Sequence, residues 1–491
     1  MSHFTIEIGN VWSSIDSEDV IDKKLIREIE DEMSFVVPIY NRYIKKTIEV
    51  KETLFEKEQL RYPTGLYSFL EKILTKNKHT FDVIDKRIIP VEKAQMTLNS
   101  KKLRDYQEQV VNDALDAQRG VIKIATGGGK TVIAAAIVAR LNLKTLFIVY
   151  SIDLLEQTAD EFEKMFQIKV GRIGGGFCDI KQINVCTIQT LHSAFDLKCE
   201  LEEEFEIKEK TDKKVLARKQ EIRAVVEHAE VVINDECHRA TCKTYVQTMQ
   251  LMTRAHNIYA LSATPYKDNT IDNVLTAYSG KQICNITASV LIDKGFLVQP
   301  KIYMLDPNNF DKYQFMKKTY KAVYDKYVVN NKNRNQMIVD CTQRLLDLSR
   351  TVLITVTHIC HGVIINEMLN KAGITSVAFI QGECDKVLRK KLLNQIRAKE
   401  LKVLIGSAVA DEGVDLPALD SLILAGGGKS LIKSLQRIGR TLRPYPGKTE
   451  AIIIDFYDRL RYLSGHSTKR IRIYETEPKF QVFKEFDFKI K

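Results

Sequence analysis

The sequence predicts an α/β protein with two parallel-sheet domains in tandem behind a small N-terminal α+β domain. Three observations predict it. From about residue 97 onward, short apolar strands alternate with amphipathic helices, the pattern of a parallel sheet with crossover helices. That pattern runs twice, over 97–296 and 297–491, and only the first run contains a glycine-rich phosphate loop. Residues 1–96 alternate strand and helix without any such loop. A chain of 491 residues exceeds what one core supports and has room for about three domains.

Composition narrows the function classes. The chain is 44% hydrophobic and 28% charged, near the globular average. Its formal net charge is +11 and its pI is near 9.0, which favours a polyanionic partner, nucleic acid first. Met1-Ser2-His3-Phe4 lacks the basic-then-apolar layout of a signal peptide, and no apolar run has membrane length, so a cytoplasmic protein without a membrane partner is expected. Nine cysteines are scattered with no C-x-x-C pair; Cys237-His238 with Cys242 lacks the second half of a zinc site, so buried thiols in a reducing compartment are expected.

In the N-terminal domain, Phe4 to Ile8 alternates as a strand, Ser17 to Met33 fits a charged helix, and Val36 to Tyr43 is extended again. The pass then repeats, with Lys46 to Leu54 as strand, Tyr67 to Leu74 as helix and Thr80 to Ile84 as strand. Lys45, Lys46 and Arg61 form either a DNA-contacting face or a solvated one.

The second domain opens with Leu103-Arg104-Asp105-Tyr106-Gln107, where Arg104 can stack on an adenine and Gln107 can pair with its edge. Strand Val121 to Ile124 then runs into Ala125-Thr126-Gly127-Gly128-Gly129-Lys130-Thr131 and the alanine-rich segment 132–140. Strand, glycine turn and helix in that order make a phosphate loop. The glycines let several backbone N–H groups converge, and the helix adds the positive end of its dipole. Lys130 can reach β- and γ-phosphate oxygens, and the Thr131 hydroxyl can ligate Mg²⁺. Ile124 stands where the usual pattern has glycine or alanine.

Strand Thr145 to Tyr150 leads to a polar loop from Ser151. Gly171 to Gly176 is a turn or a hairpin, and Val185 to Leu191 sets a strand against a helix start with hydroxyls that suit a backbone phosphate. Residues 195–230 are rich in Glu and Lys, as expected of solvated helices or a projecting hairpin. Val231-Val232-Ile233-Asn234-Asp235-Glu236 is an apolar strand ending in adjacent acids, which assigns Asp235 to the metal and Glu236 to the attacking water. Ser262-Ala263-Thr264-Pro265 follows a further strand and can connect those acids to a second domain. Residues 290–300 are expected to be a linker, and Phe310 to Ser349 largely helix.

The third domain repeats the array with strands starting near Thr351, Ser376, Val403, Leu422 and Ala451. A second phosphate loop is not expected in this array, so this sheet is expected to present residues to the first one's nucleotide. Ala410-Asp411-Glu412-Gly413-Val414-Asp415 occupies a loop after a buried strand. Gln436-Arg437-Ile438-Gly439-Arg440-Thr441-Leu442-Arg443 lies in an acid-free stretch, with Arg440 and Arg443 at helical i, i+3 spacing so that both face one ligand.

In order, these motifs closely resemble those of the superfamily 2 helicases, and within them the XPB-like and phage UvsW-type DNA helicases. The resemblance covers about residues 100 to 460. It implies two RecA-like domains, 97–296 binding ATP and 297–491 completing the motor, with Arg104, Gln107, Thr126, Gly127, Gly128, Gly129, Lys130, Thr131 and Asp415 at the nucleotide. Lys130, Asp235, Glu236, Gln436, Arg440 and Arg443 would carry catalysis, and Thr131 and Asp235 the Mg²⁺. Ser151, Gly174, Thr190 and Ser407 would meet DNA phosphates. The implied activity is ATP-dependent remodelling of branched DNA, meaning forks, four-way junctions and R-loops with their RNA–DNA hybrid, by a monomer in the cytoplasm, the host's if the chain is phage-encoded. The rival readings are a duplex translocase motor and an ATP-gated nucleic-acid sensor.

Overall fold

The computed structural model describes residues 2–17, 20–41, 46–99, 102–196, 213–237, 243–266, 273–307, 319–381, 385–406, 416–427 and 431–484. The chain forms two compact units. One comprises Met1–Ile124 and Gly129–Asn285; the other comprises Ile286–Lys491 with the short loop Ala125–Gly128.

The first unit begins with a four-stranded sheet in the order Arg61–Pro63, Trp12–Asp16, His3–Ile8, Thr80–Asp85, the last pair parallel and the others antiparallel. Phe4 and Ile6 point inward from the central strand, and Leu25, Ile29, Leu70 and Leu74 of helices Lys23–Glu32 and Tyr67–Lys76 bury against the same core. The first helix starts at Lys23 rather than Ser17 because Asp22 caps it, its carboxylate accepting from the Lys24 N–H at 3.1 Å. The expected second strand–helix–strand pass forms, as Lys46–Thr53, Tyr67–Lys76 and Thr80–Asp85, but its two strands do not share a sheet. Ser34–Asn41 and Lys46–Thr53 pair only with each other, as a two-stranded antiparallel ribbon. Trp12–Asp16, a strand with two serines that sequence patterning passed over, takes their place; Ser13 is buried with its hydroxyl 3.0 Å from that of Thr64.

This small domain is not hung on a loose tether. One cluster of buried side chains runs from Phe4 through to Tyr278. Asn10, itself buried, donates to the Ile88 and Arg254 carbonyls at 3.1 and 3.2 Å and accepts from the Ile88 N–H, while Arg119 donates to the Asn10 carbonyl at 2.6 Å.

The eight-stranded sheet of the first unit has the order Phe177–Asp179, Gly171–Gly174, Ile183–Thr187, Thr145–Val149, Val231–Asp235, Asn257–Ser262, Arg119–Ile124, Gln282–Ile286. The strands from Gly171–Gly174 to Arg119–Ile124 are parallel. Thr145–Val149 and Ile183–Thr187 are buried at every position, as helices on both faces require. Gly171–Gly174 is one strand of an edge hairpin that turns at Gly175 and Gly176. Within 195–230 the described part is a helix, Lys213–Glu227, solvated except at Ile222 and Val226.

The second unit holds seven parallel strands in the order Val377–Ile380, Val403–Gly406, Val352–Thr355, Ser421–Ile423, Glu450–Phe456, Gln299–Leu305, Gln481–Phe483. Residues 290–300 are not a linker. Thr287 caps a helix, Ala288–Asp293, and Gln299 already begins a strand; Gly295, at φ +71°, marks the helix end rather than a flexible joint. The helical expectation for Phe310 to Ser349 holds for Tyr320–Tyr324, a π-helical turn Asp325–Val329, and Lys332–Asp347; residues 308–318 lie outside the described residues. Cys186 and Cys341 are buried thiols, both pushed up by burial, Cys341 to about 12, whereas Cys360 is exposed. Among the described residues no helix is long and apolar enough to cross a membrane.

Candidate active site

The phosphate loop is a short bend between two buried elements. Ile124 closes strand Arg119–Ile124 with no exposed surface, which accounts for its departure from glycine or alanine: it is a core residue. Gly127 and Gly129 adopt φ of +90° and +83°, conformations that side chains resist. A Cβ on Gly129 would also stand 2.4 Å from the Gln107 amide nitrogen. The Gly128 N–H donates to the Ala125 carbonyl at 3.0 Å, tightening the bend. Helix Lys130–Leu141 then runs buried from Ile133 to Ala139, with Thr131 half-buried in its first turn.

Gln107 is 4% exposed, and its Oε1 accepts from the Arg104 N–H at 3.1 Å, so it closes the start of helix Asp105–Ala117 while its amide lies against the loop. Arg104 is half-buried beside it.

Strand Val231–Asp235 sits two places from the phosphate-loop strand, with Asn257–Ser262 between them. Its last residue and the next put two acids at the carboxyl edge of the sheet, where open α/β sheets bind ligands. Glu236 is at φ +51°, an unusual backbone for a glutamate, and receives the Lys130 ammonium at 2.7 Å. Both side chains are largely covered, 15% exposed for Lys130 and 27% for Glu236. Burial works to lower the Lys130 pKa, but the charges of Glu236 and Asp235 and the Glu236 hydrogen bond outweigh it, so the ammonium is held above its ordinary value. Ser262 donates to the other Glu236 oxygen at 3.4 Å and accepts from the Thr264 N–H at 3.1 Å, which ties the segment after its strand to the acids.

Oxygen donors dominate here. Among the described residues no group of three or more His, Cys, Asp and Glu could hold a metal. One carboxylate and one hydroxyl, Asp235 and Thr131, match the way Mg²⁺ is held where nucleotide phosphates and water fill most of its shell.

On the same sheet edge, Ser151, Gly174 and Thr190 follow or end neighbouring strands. Ser151 caps helix Ile152–Phe166 by accepting from the Leu154 N–H at 3.3 Å. The Thr190 hydroxyl lies 2.8 Å from that of Thr187, and a Cβ on Gly174 would fall 2.7 Å from the same Thr187 oxygen. Thr187 thus joins the set.

In the second unit, helix Leu431–Thr441 carries Gln436 and Arg440 four residues apart, both half-buried. The helix ends at Thr441, so Arg443 lies in the following turn and the expected i, i+3 pairing with Arg440 does not apply. The turn is fixed by Lys448, whose ammonium donates to the Arg443 carbonyl at 3.0 Å and the Pro417 carbonyl at 3.3 Å; burial lowers its pKa to about 8. Asp415, Ser407, His238 and Cys242 lie outside the described residues.

Behind that helix is a buried charged network that sequence reading missed. Arg470 pairs with Asp455 at 2.8 Å and donates to the Gly427 carbonyl at 3.1 Å. Arg334 pairs with Asp458 at 2.7 Å and donates to the Ala425 carbonyl at 3.0 Å. Tyr474 donates to Asp455 at 2.9 Å and is hydrogen-bonded to Ser434 of the helix. No sequence signal marks these pairs, because Arg334 and Asp458 are separated by 124 residues.

Two family models match the chain: the type III restriction enzyme res subunit over residues 100–267, and the helicase conserved C-terminal domain over residues 323–445. The chain belongs to the superfamily 2 helicases. Among relatives of this helicase, the DNA 3'-5' translocase XPB2 of Sulfurisphaera tokodaii is 26% identical over 427 residues, covering 79% of the chain and 87% of the relative. The ATP-dependent DNA helicase uvsW of Enterobacteria phage T4 is 25% identical over 404 residues, covering 76% and 75%. A solved fragment assigned to the HsdR subunit of a type I restriction enzyme from Vibrio vulnificus has the same fold, with a TM-score of 0.56 at 18% identity over 96% of this chain and 83% of that one. The helicase therefore has the tandem RecA-like fold, hydrolyses ATP and acts on DNA.

Proposed function

We propose that this helicase remodels branched DNA, taking forks, four-way junctions and R-loops apart by ATP-driven movement along DNA. The observation that carries the reading is the shared core and the Asn10 hydrogen bonds that make the N-terminal sheet and the first motor sheet one body. A DNA arm held by the N-terminal domain then cannot shift independently of the motor. Pulling on one arm while holding another separates strands at a branch point. Residues 1–96, 97–296 and 297–491 are the proposed divisions of labour: arm binding, ATP binding, and completion of the motor.

In the proposed mechanism, Lys130 leaves Glu236 for the β- and γ-phosphates, and the Glu236 carboxylate so released orients the attacking water. Asp235 and Thr131 would hold Mg²⁺, which supplies charge neutralisation at the phosphates. Arg104 and Gln107 are assigned to adenine, and Thr126 to Gly129 to the phosphates. Gln436, Arg440 and Arg443 are assigned to the γ-phosphate in the nucleotide-bound state, with Asp415 at the ribose. Ser151, Gly174, Thr190 and Ser407 would take DNA phosphates. The protein would work as a monomer in the cytoplasm.

A second reading has its own support. The first motor domain matches a restriction-enzyme family, and one relative is named a translocase, so movement along intact duplex without strand separation is the rival. ATP hydrolysis and strand separation on duplex, single strand, fork, four-way junction and R-loop discriminate the two. Stimulation and resolution by the branched substrates are expected; hydrolysis driven by plain duplex with no separation would replace the branch reading with the translocase one.

A further inference from the structure

A small satellite core in the second unit supports an aromatic surface that the ATP chemistry does not use. Val323, Tyr324, Val328 and Val329 of the helical stretch Tyr320–Val329 pack against Leu460 and Leu463. The π-helical turn Asp325–Val329 places both Val328 and Val329 inward, at 0% and 2% exposure. Leu460 and Leu463 are anchored, so the two residues between them must bulge outward.

They do so at a backbone cost. Tyr462 has φ +66°, a genuine outlier for a bulky side chain, and such strain gathers at functional sites. The residue is 38% exposed, and its ring stands edge-to-face with that of Tyr320, itself 39% exposed, at 6.1 Å between centroids. Tyr320 also meets His466 at 5.6 Å and Tyr324 at 5.8 Å. The Arg461 guanidinium lies 4.9 Å from the Tyr462 ring centre.

The surface is at the carboxyl end of the sheet. Tyr462 follows strand Glu450–Phe456; Tyr324 donates to the Gly426 carbonyl at 2.6 Å, just past strand Ser421–Ile423, and its ring lies 4.9 Å from that of His358, just past Val352–Thr355. Its charge is positive. Residues 319–329 and 457–466 contain Lys321, Lys326, Arg459 and Arg461 against Asp325 and Asp458, and Asp458 is already spent on buried Arg334. Arg459 is matched by Asp306 at 2.8 Å, and Asp325 lies 3.7 Å from His358.

We propose that Tyr320 and Tyr462 form a stacking platform for an unpaired base of the DNA substrate, with Arg461 and Lys326 facing the flanking phosphates. Exposed aromatic faces set among basic side chains are how single strands are held without sequence preference. The inference rests on DNA as the substrate and not on the preference for branches.

The test is binding of a fluorescein-labelled single-stranded oligonucleotide to the full chain, repeated with an abasic site walked through each position. Tyr320→Ala and Tyr462→Asn are the variants, asparagine being chosen because it tolerates positive φ. Each is expected to weaken binding roughly five- to 100-fold, the scale of one lost base stack, while Tyr320→Phe stays within about twofold. ATP hydrolysis without DNA should be unchanged, which shows the variants are folded. One or two abasic positions should weaken binding to the natural chain and have no further effect on the double variant. Equal abasic penalties in the natural chain and the double variant, or undiminished binding by Tyr320→Ala, would overturn the platform. A helicase with the platform intact but no branched-DNA preference would overturn only the branch reading.

Discussion

The two motor sheets are built alike and use their carboxyl edges differently. In the first, Lys130 and Glu236 meet at 2.7 Å with 15% and 27% of their side chains still exposed, at the end of a glycine loop. In the second, Arg334 with Asp458 and Arg470 with Asp455 make the same kind of contact with at most 1% exposure, and each arginine also donates to backbone carbonyls. A partly covered ion pair can be exchanged for a ligand phosphate. A fully buried one cannot, because separating it leaves a charge in a low dielectric. The comparison teaches that one fold places charge at one edge in two ways, partly open to a ligand in the first domain and sealed into the packing in the second.

That contrast can be broken most directly at the first edge. Lys130→Ala should lower ATP turnover by roughly 10³-fold or more while leaving the thermal midpoint near that of the natural chain, as its proposed electrostatic role at the phosphates requires. A midpoint lowered along with turnover would make Lys130 structural too. Arg440→Ala and Arg443→Ala are next: as groups acting on the γ-phosphate, either should cut kcat by about 10³-fold with a smaller change in KM. An unaltered kcat removes that residue from the site.

The second edge should respond in the opposite manner. Arg470→Met alone leaves Asp455 buried without its counter-ion and should cost about 3–5 kcal/mol in denaturant unfolding, with Asp455→Leu added to it recovering much of the loss. If the single change costs less than about 1 kcal/mol, the network is not what holds this edge.

His361 sharpens the picture with pH. It is buried, 2.9 Å from the Asn335 side chain, and burial, with the Arg334 charge, depresses its pKa to about 3. The folded state keeps this ring neutral, whereas the unfolded chain protonates it near pH 6.5. Stability from this group is therefore full above about pH 6.5 and is lost as pH falls toward 3, by up to about 1.4 kcal/mol per pH unit. Urea unfolding at pH 7.5, 6 and 5 should show a shallower acid loss in His361→Gln; parallel curves would sink the assignment.

The smallest effect is expected at Ser262, whose hydroxyl only steadies Glu236. Ser262→Ala should reduce turnover by less than about tenfold, the scale of one long hydrogen bond. A loss as large as that of Lys130→Ala would make Ser262 part of the chemistry.

How far the sequence reached can be read from particular residues. The phosphate loop, the Asp235–Glu236 strand end and the central strands of both sheets are local patterns, set by glycine conformations and by apolar runs, whereas Gln282–Ile286, Gln299–Leu305 and Gln481–Phe483 were passed over. Ser34–Asn41 and Lys46–Thr53 were legible as strands, but only their pairing shows that they form a separate ribbon. Residues 290–300 misled because glycine and proline mark the end of a helix and the start of a strand as readily as a linker.

By itself, then, the sequence determined the class of fold and the helicase family, since the motifs that carry them depend on neighbours within a few positions. Only the tertiary structure decided which arginines are spent on buried aspartates, that Arg443 lies past its helix, that the N-terminal sheet shares a core with the motor, and that Tyr320 meets Tyr462. Those facts join residues up to 244 positions apart, as Asn10 and Arg254 are, and pairing over such distances is settled by packing, which no local pattern encodes.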